Sequence, residues 1–146
     1  MSVLTNGNAP RHPLFSYHED LLTDVSGVVQ VGAHQGQEVT EWCSRGMKHQ
    51  LYFEPQPGPF VRLQGEIERL VRPPAKAKAC NVAVADSCYY LTDFFVAEND
   101  TMSSLLLPDS VPQLVTTERS TRIQVPCVNL DSFFASNLCL GYFQLL

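Results

Sequence analysis

The feature that most constrains the fold is a short β-branched run that ends in a glycine turn and continues as an amphipathic segment. Val28, Val29 and Val31 form the run, and Gly32 and Gly36 bound the turn. An apolar run of this length before glycines is typical of a fully buried parallel strand. After Gly36 the apolar residues stand three or four apart and acids occupy the first turn, which predicts a helix. The unit is therefore strand, glycine turn, helix.

The same order of elements continues along the next fifty residues. A second strand is predicted at 50–53, and a helix with Phe60 on its apolar face ends before Pro73. A third strand is predicted at 79–85. Strands joined by helices cross over with one hand, so these three belong to one parallel sheet with helices on both faces.

The pattern changes after the third strand. Two more strands are predicted at 89–96 and 121–128, separated by a polar stretch of about two dozen residues that we interpret as a lid or ligand-facing segment. A short helix follows, with Asp131 as its cap. Residues 142–146 begin a further buried strand. Ahead of the first strand, residues 1–26 are turn-rich and predict a loose arm with one short helix.

Composition narrows the class of protein. The chain has 146 residues, enough for one domain, and its formal charge of −5 disfavours nucleic-acid binding. It shows no signal peptide and no apolar run long enough to cross a membrane, so we expect a cytoplasmic protein without a membrane partner. The five cysteines include no Cys-x-x-Cys pair, which argues against a zinc site or a disulfide framework and favours reduced, buried thiols.

One acid gives the glycine turn a chemical interpretation. Glu54 follows the second strand about 20 residues beyond the turn, where an acid accepts the two hydroxyls of a ribose. The helix start after the turn offers unpaired N–H groups to an anion. Glycine is missing from the middle of the dinucleotide fingerprint, because His34 stands there. The pattern predicts a nucleoside site, the alternative being a tight connection without a ligand.

Five segments in register resemble the FkbM-type methyltransferases, and the similarity runs from about residue 26 to the last residue. These segments are 28–38, 52–55, 81–86, 103–105 and 125–131. The resemblance implies an S-adenosylmethionine-dependent enzyme with the Rossmann-like class I methyltransferase fold. That fold is a three-layer α/β/α arrangement around a mostly parallel sheet.

The resemblance also implies the residues that bind S-adenosylmethionine. The glycine turn lines the methionine part, Glu54 takes the ribose hydroxyls and residues 81–83 lie beside the adenine. The implied set is Gln30, Gly32, Ala33, His34, Gln35, Gly36, Glu54, Pro55, Asn81, Val82, Ala83, Ser103 and Ser104. No metal ligand and no general base are assigned. We interpret His34 as a local hydrogen-bonding residue and Trp42 as part of the core.

The chain departs from the family in two places. Gln30 stands where the family usually has an aspartate that helps to hold the cofactor's ammonium group, so the ionic contribution of that residue is lost. In the family the strand that begins at Tyr142 continues into further helices and strands, which are missing here. We therefore expect residues 27–146 to form the N-terminal portion of a methyltransferase domain that is truncated at its C-terminus.

The leading functional hypothesis is O-methylation of a hydroxyl on a sugar, glycan or small natural product. One alternative is a truncated, catalytically silent module that binds the cofactor or acts in assembly, with self-association through the apolar strand 142–146. Another is an NAD-dependent oxidoreductase, which His34 disfavours.

Overall fold

A computed structural model of the chain describes residues 24–87, 90–97, 103, 105 and 120–137. The predicted arm and short helix at 1–26 lie almost entirely outside the described residues. Ser104, most of the polar stretch before 120, and the predicted strand at 142–146 also lie outside them.

The first half of the chain forms the predicted parallel sheet. Strands β1 (Gly27–Val31), β2 (His49–Phe53) and β3 (Lys76–Cys80) lie side by side in that order, and both pairs are parallel. Helix α1 (Val39–Ser44) joins β1 to β2, and helix α2 (Pro57–Leu70) joins β2 to β3. The predicted alternation of strands and helices is confirmed here.

The register of this sheet brings the ends of its strands together. Val31 lies opposite Phe53, and Phe53 lies opposite Cys80, so the three strands end level. The backbone N–H of Gly32 donates to the carbonyl of Phe53 at 2.9 Å, and the N–H of Glu54 donates to the carbonyl of Cys80 at 3.1 Å. The glycine turn and Glu54 are therefore adjacent at one edge.

The rest of the chain forms a second, mixed sheet. Strands β4 (Ala83–Val84) and β5 (Leu91–Ala97) both pair with β6 (Ser120–Val128), β4 in parallel and β5 antiparallel. The prediction of one strand over 79–85 is wrong, because the chain leaves the first sheet after Cys80 and enters the second at Ala83. Between them the Asn81 side chain bonds to backbone carbonyls, which competes with a strand ladder.

Helices contact β2 on both of its faces. Tyr52 packs with residues of α1 and α2, whereas the ring of Phe53 meets the ring of Phe133 on helix α3 (Leu130–Asn137) edge-on at 5.1 Å. Successive side chains of a strand point to opposite faces, so α3 lies across the sheet from the other helices. The complete three-layer arrangement stays a prediction.

Asn129, and not Asp131, caps helix α3. The side-chain oxygen of Asn129 accepts the backbone N–H of Ser132 at 3.1 Å. Asp131 lies inside the first turn of the helix. The predicted cap is two residues too far along the chain. Asparagine and aspartate both cap helices, so residue type alone did not separate Asn129 from Asp131.

The oxidation state of one cysteine differs from the prediction of reduced thiols. Cys43 and Cys80 are free thiols, but Cys127 is disulfide-bonded. Spacing along the chain did not indicate a disulfide, because spacing alone does not show which cysteines the fold brings together. In the described part of the chain no helix is both long and apolar enough to pass through a membrane.

The two glycines of the turn serve different purposes. Both have positive φ, +72° at Gly32 and +84° at Gly36. A Cβ on Gly32 would meet nothing within 4 Å, whereas a Cβ on Gly36 would lie 3.0 Å from Leu63 Cδ1 and 3.2 Å from Val39 Cγ2. Gly36 therefore lets the turn pack closely against α2, and Gly32 leaves open space above the turn.

We predict that Gly36→Ala destabilises the fold more than Gly32→Ala. Both substitutions strain a left-handed residue at about 1–2 kcal/mol, and the alanine at 36 adds about 1–3 kcal/mol of overpacking against Leu63 and Val39. Urea unfolding of the two variants measures the difference. Equal free energies of unfolding would contradict the close packing at Gly36.

Candidate functional site

A cavity of about 460 Å³ opens at the edge where β1 and β2 end. Its volume lies within the range of small-molecule sites, and the carboxyl ends of parallel strands are where open α/β sheets bind ligands. The lining residues come from both sheets and are Val31, Gly32, His34, Gln37, Glu38, Phe53, Glu54, Pro55, Gln56, Val82, Ala83, Val84, Phe94, Ser103 and Leu105.

Glu54 ties the glycine turn to the segment after β2. Its side chain is 3% exposed, and its Oε2 accepts the backbone N–H of His34 at 2.7 Å. Its Oε1 accepts the backbone N–H of Gln56 at 2.8 Å. Each carboxylate oxygen can accept more than one hydrogen bond, so Glu54 keeps acceptor capacity for a ligand in the cavity.

The side chain of Gln30 is held between two partners. Trp42 Nε1 donates to Gln30 Oε1 at 2.9 Å, and Gln30 Nε2 donates to Glu38 Oε2 at 2.9 Å. An indole N–H only donates and a carboxylate only accepts, so these partners determine which end of the amide faces each of them. Trp42 lies in the core as predicted, but it also orients Gln30, which the sequence did not indicate.

The described lining of the cavity is negatively charged. Glu38 and Glu54 line it, and no Lys or Arg is present among the described lining residues. The pKa of the neighbouring Tyr52 is raised, chiefly by burial of the phenol, with Cys43 and the negative charge of Glu38 adding to the effect. A ligand with positive charge is favoured in such a cavity, and a phosphate is disfavoured.

Ser103 connects the second sheet to the segment after β2. Its hydroxyl oxygen accepts the backbone N–H of Ala97 at 3.1 Å and donates to Gln56 Oε1 at 3.4 Å. Gln56 is 6% exposed, so this contact is formed away from solvent. The cavity wall therefore depends on both sheets.

Seven of the residues implied by the resemblance line the cavity, namely Gly32, His34, Glu54, Pro55, Val82, Ala83 and Ser103. Asn81 does not line it and donates to the carbonyls of Glu54 and Pro55 at 2.8 and 3.1 Å. Gln30 reaches the cavity only through Glu38. Ser104 lies outside the described residues.

The remaining residues of the glycine turn do not line the cavity. Ala33 is 1% exposed and belongs to the hydrophobic core, while Gln35 and Gly36 border a separate shallow depression beside α2. The turn residues at 32, 34 and 36 all have positive φ, so the chain curls and neighbouring side chains leave it in different directions. The turn is thus only partly exposed to the cavity.

Sequence reasoning missed Glu38, Gln56 and Phe94 as lining residues. Glu38 is one of the first-turn acids that predict a helix and belongs to the family-like segment 28–38, and its position near the turn was a usable signal. The position of Gln56, two residues after Glu54, was a similar signal for a place in the lining of the cavity. Nothing in the sequence indicated Phe94, because its place in the cavity depends on how the two sheets meet.

Metal binding finds no support in the described ranges, where no group of three His, Cys, Asp or Glu side chains is arranged to hold an ion.

Comparison with known families gives one match. The family model described as Methyltransferase FkbM domain matches residues 30–140, about three quarters of the chain. No curated protein and no solved structure matches the sequence.

We predict that Glu54→Gln destabilises the fold by about 1–3 kcal/mol. The amide oxygen can replace one carboxylate oxygen, but the amide NH₂ then faces the backbone N–H of His34 or Gln56 and leaves it without an acceptor. Urea unfolding measures the loss, with Glu68→Gln on the exposed face of α2 as the matched control. Equal stability of the two variants would show that Glu54 does not hold the turn.

Proposed function

Because the chain belongs to the family of methyltransferase FkbM domains, we propose that it binds S-adenosylmethionine in the cavity at the ends of β1 and β2. The acceptor we propose is a hydroxyl of a sugar, glycan or small natural product. Membership of the family supports methyltransferase activity in general. The cofactor and the acceptor are the proposed part.

The charge of the cavity is the observation that favours S-adenosylmethionine as the cofactor. S-Adenosylmethionine holds positive charge on its sulfonium and on its ammonium group, and both Glu38 and Glu54 line the cavity without a described Lys or Arg. A nicotinamide dinucleotide would bring an anionic diphosphate to the same two carboxylates, which is unfavourable. The open space above Gly32 leaves room for a ligand close to the backbone.

The proposed contacts follow from the lining residues. The free acceptor capacity of the Glu54 carboxylate suits the ribose hydroxyls, and Val82 and Ala83 offer an apolar surface for the adenine. When bound, the cofactor supplies an electrophilic methyl group, so the chain's own task is to position the acceptor and exclude water. His34 Nδ1 lies 3.2 Å from Gln37 Nε2, which supports the local hydrogen-bonding role predicted for it.

We predict that S-adenosylhomocysteine raises the melting temperature and that NAD does not. At a hundredfold excess over Kd, a ligand adds about 2.7 kcal/mol of stability, which corresponds to a rise of about 5–10 °C for a chain of this size. Differential scanning fluorimetry with each ligand at equal concentration measures it. A rise with NAD alone would favour the oxidoreductase, and no rise with S-adenosylhomocysteine would count against the proposed cofactor.

A second candidate function is a module that binds the cofactor without catalysis or that acts in assembly. The observation that favours it is the engagement of Gln30 by Trp42 and Glu38, because position 30 offers no free acid to a cofactor. Binding of S-adenosylhomocysteine without methyl transfer to any hydroxyl acceptor would support this candidate. Sedimentation of the chain with and without residues 142–146 tests the predicted self-association.

A further inference from the structure

Glu38 lines the cavity, and its carboxylate bonds to Gln30 and not to its own helix. Glu38 is the N-cap residue of α1, yet its side chain makes no capping hydrogen bond. Its Oε2 accepts the Gln30 amide at 2.9 Å, and the residue lines the cavity. Among the residues that the structure describes, no Lys or Arg forms an ion pair with it. Glu38 is thus a half-buried acid that has no cationic partner in the described site.

Gln30 and Glu38 are chemically matched. Trp42 holds the oxygen end of the Gln30 amide, so the NH₂ end is presented to Glu38 as a donor. An aspartate at position 30 would instead place a second carboxylate beside Glu38, and neighbouring like charges disfavour ionisation of both groups. With an amide at 30 and an acid at 38, this side of the cavity keeps a single negative charge.

We propose that Glu38 binds the ammonium group of the cofactor's methionine part, and that Gln30 and Trp42 position its carboxylate. The proposal rests on the proposed function. A carboxylate with one oxygen held by an amide retains acceptor sites for a cation, and hydrogen bonds between charged partners are about twice as strong as neutral ones. The loss of an acid at position 30 is therefore compensated eight residues further along the chain.

Isothermal titration with two ligands tests this assignment. S-Adenosylhomocysteine carries the ammonium group, and 5′-methylthioadenosine lacks the amino-acid part. Glu38→Gln keeps the acceptor for the Gln30 amide but removes the charge. We expect about a tenfold to hundredfold loss of affinity for S-adenosylhomocysteine and an unchanged affinity for 5′-methylthioadenosine. The control is Glu41→Gln, which removes the same charge three residues further along, from a carboxylate that lies outside the cavity and pairs with Arg45. It should leave both affinities unchanged.

Exchanging the two side chains gives a second variant. Gln30→Asp combined with Glu38→Gln restores an acid at 30 and an amide at 38, so the site again holds one carboxylate and one amide. We expect this double variant to recover most of the affinity for S-adenosylhomocysteine that Glu38→Gln loses. It also keeps the test decisive if the single variant does not fold.

The outcomes separate the two proposals. A wild-type chain that binds neither ligand overturns the proposed function and the role of Glu38 with it. A wild-type chain that binds S-adenosylhomocysteine, with Glu38→Gln binding it equally well, overturns the role of Glu38 alone. Equal losses for both ligands also overturn it, because the ammonium group is then not what Glu38 recognises.

Discussion

The structure of the site depends on the two hydrogen bonds that the Glu54 carboxylate accepts from the backbone. One comes from His34 in the glycine turn and the other from Gln56 after β2, so a single buried side chain connects two segments 22 residues apart. Asn81 adds a third segment by donating to the carbonyls of Glu54 and Pro55. A buried charge is costly unless hydrogen bonds compensate it. The two backbone hydrogen bonds that compensate the buried carboxylate therefore also fix the position of the cavity wall.

The other side of the cavity is organised by the chain of contacts from Trp42 through Gln30 to Glu38. The donor and the acceptor in each of these contacts are fixed, because the indole N–H can only donate and the carboxylate can only accept. Through Gln30, the core residue Trp42 thereby helps to set the position of the Glu38 carboxylate. Together, Glu38 and Glu54 place two carboxylates at the cavity, and the proposed binding of a positively charged adenosine rests on them.

The sequence predicted the local elements and the position of Glu54 well, because strand, turn and helix signals depend on neighbouring residues. β1 and β2 were predicted close to their observed bounds, and a helix was predicted after Gly36, where α1 lies. The division of 79–85 between two sheets was missed, since it depends on the contact of Asn81 with residues 54 and 55. Phe94 was missed for the same reason, because its place in the cavity is determined by segments distant in the sequence, whereas the position of Glu38 near the turn was a usable signal. The spacing of the cysteines likewise did not predict the disulfide at Cys127.

The central claim is that the cavity beside Glu38 and Glu54 binds S-adenosylmethionine. The most direct test is a titration of the ¹⁵N-labelled chain with S-adenosylhomocysteine, followed by amide chemical shifts. We expect saturable shifts at Gly32, His34 and Gln56, and little change at Gly65, which borders only the depression beside α2. Shifts confined to the α2 depression, or no saturable shift at all, would contradict the claim.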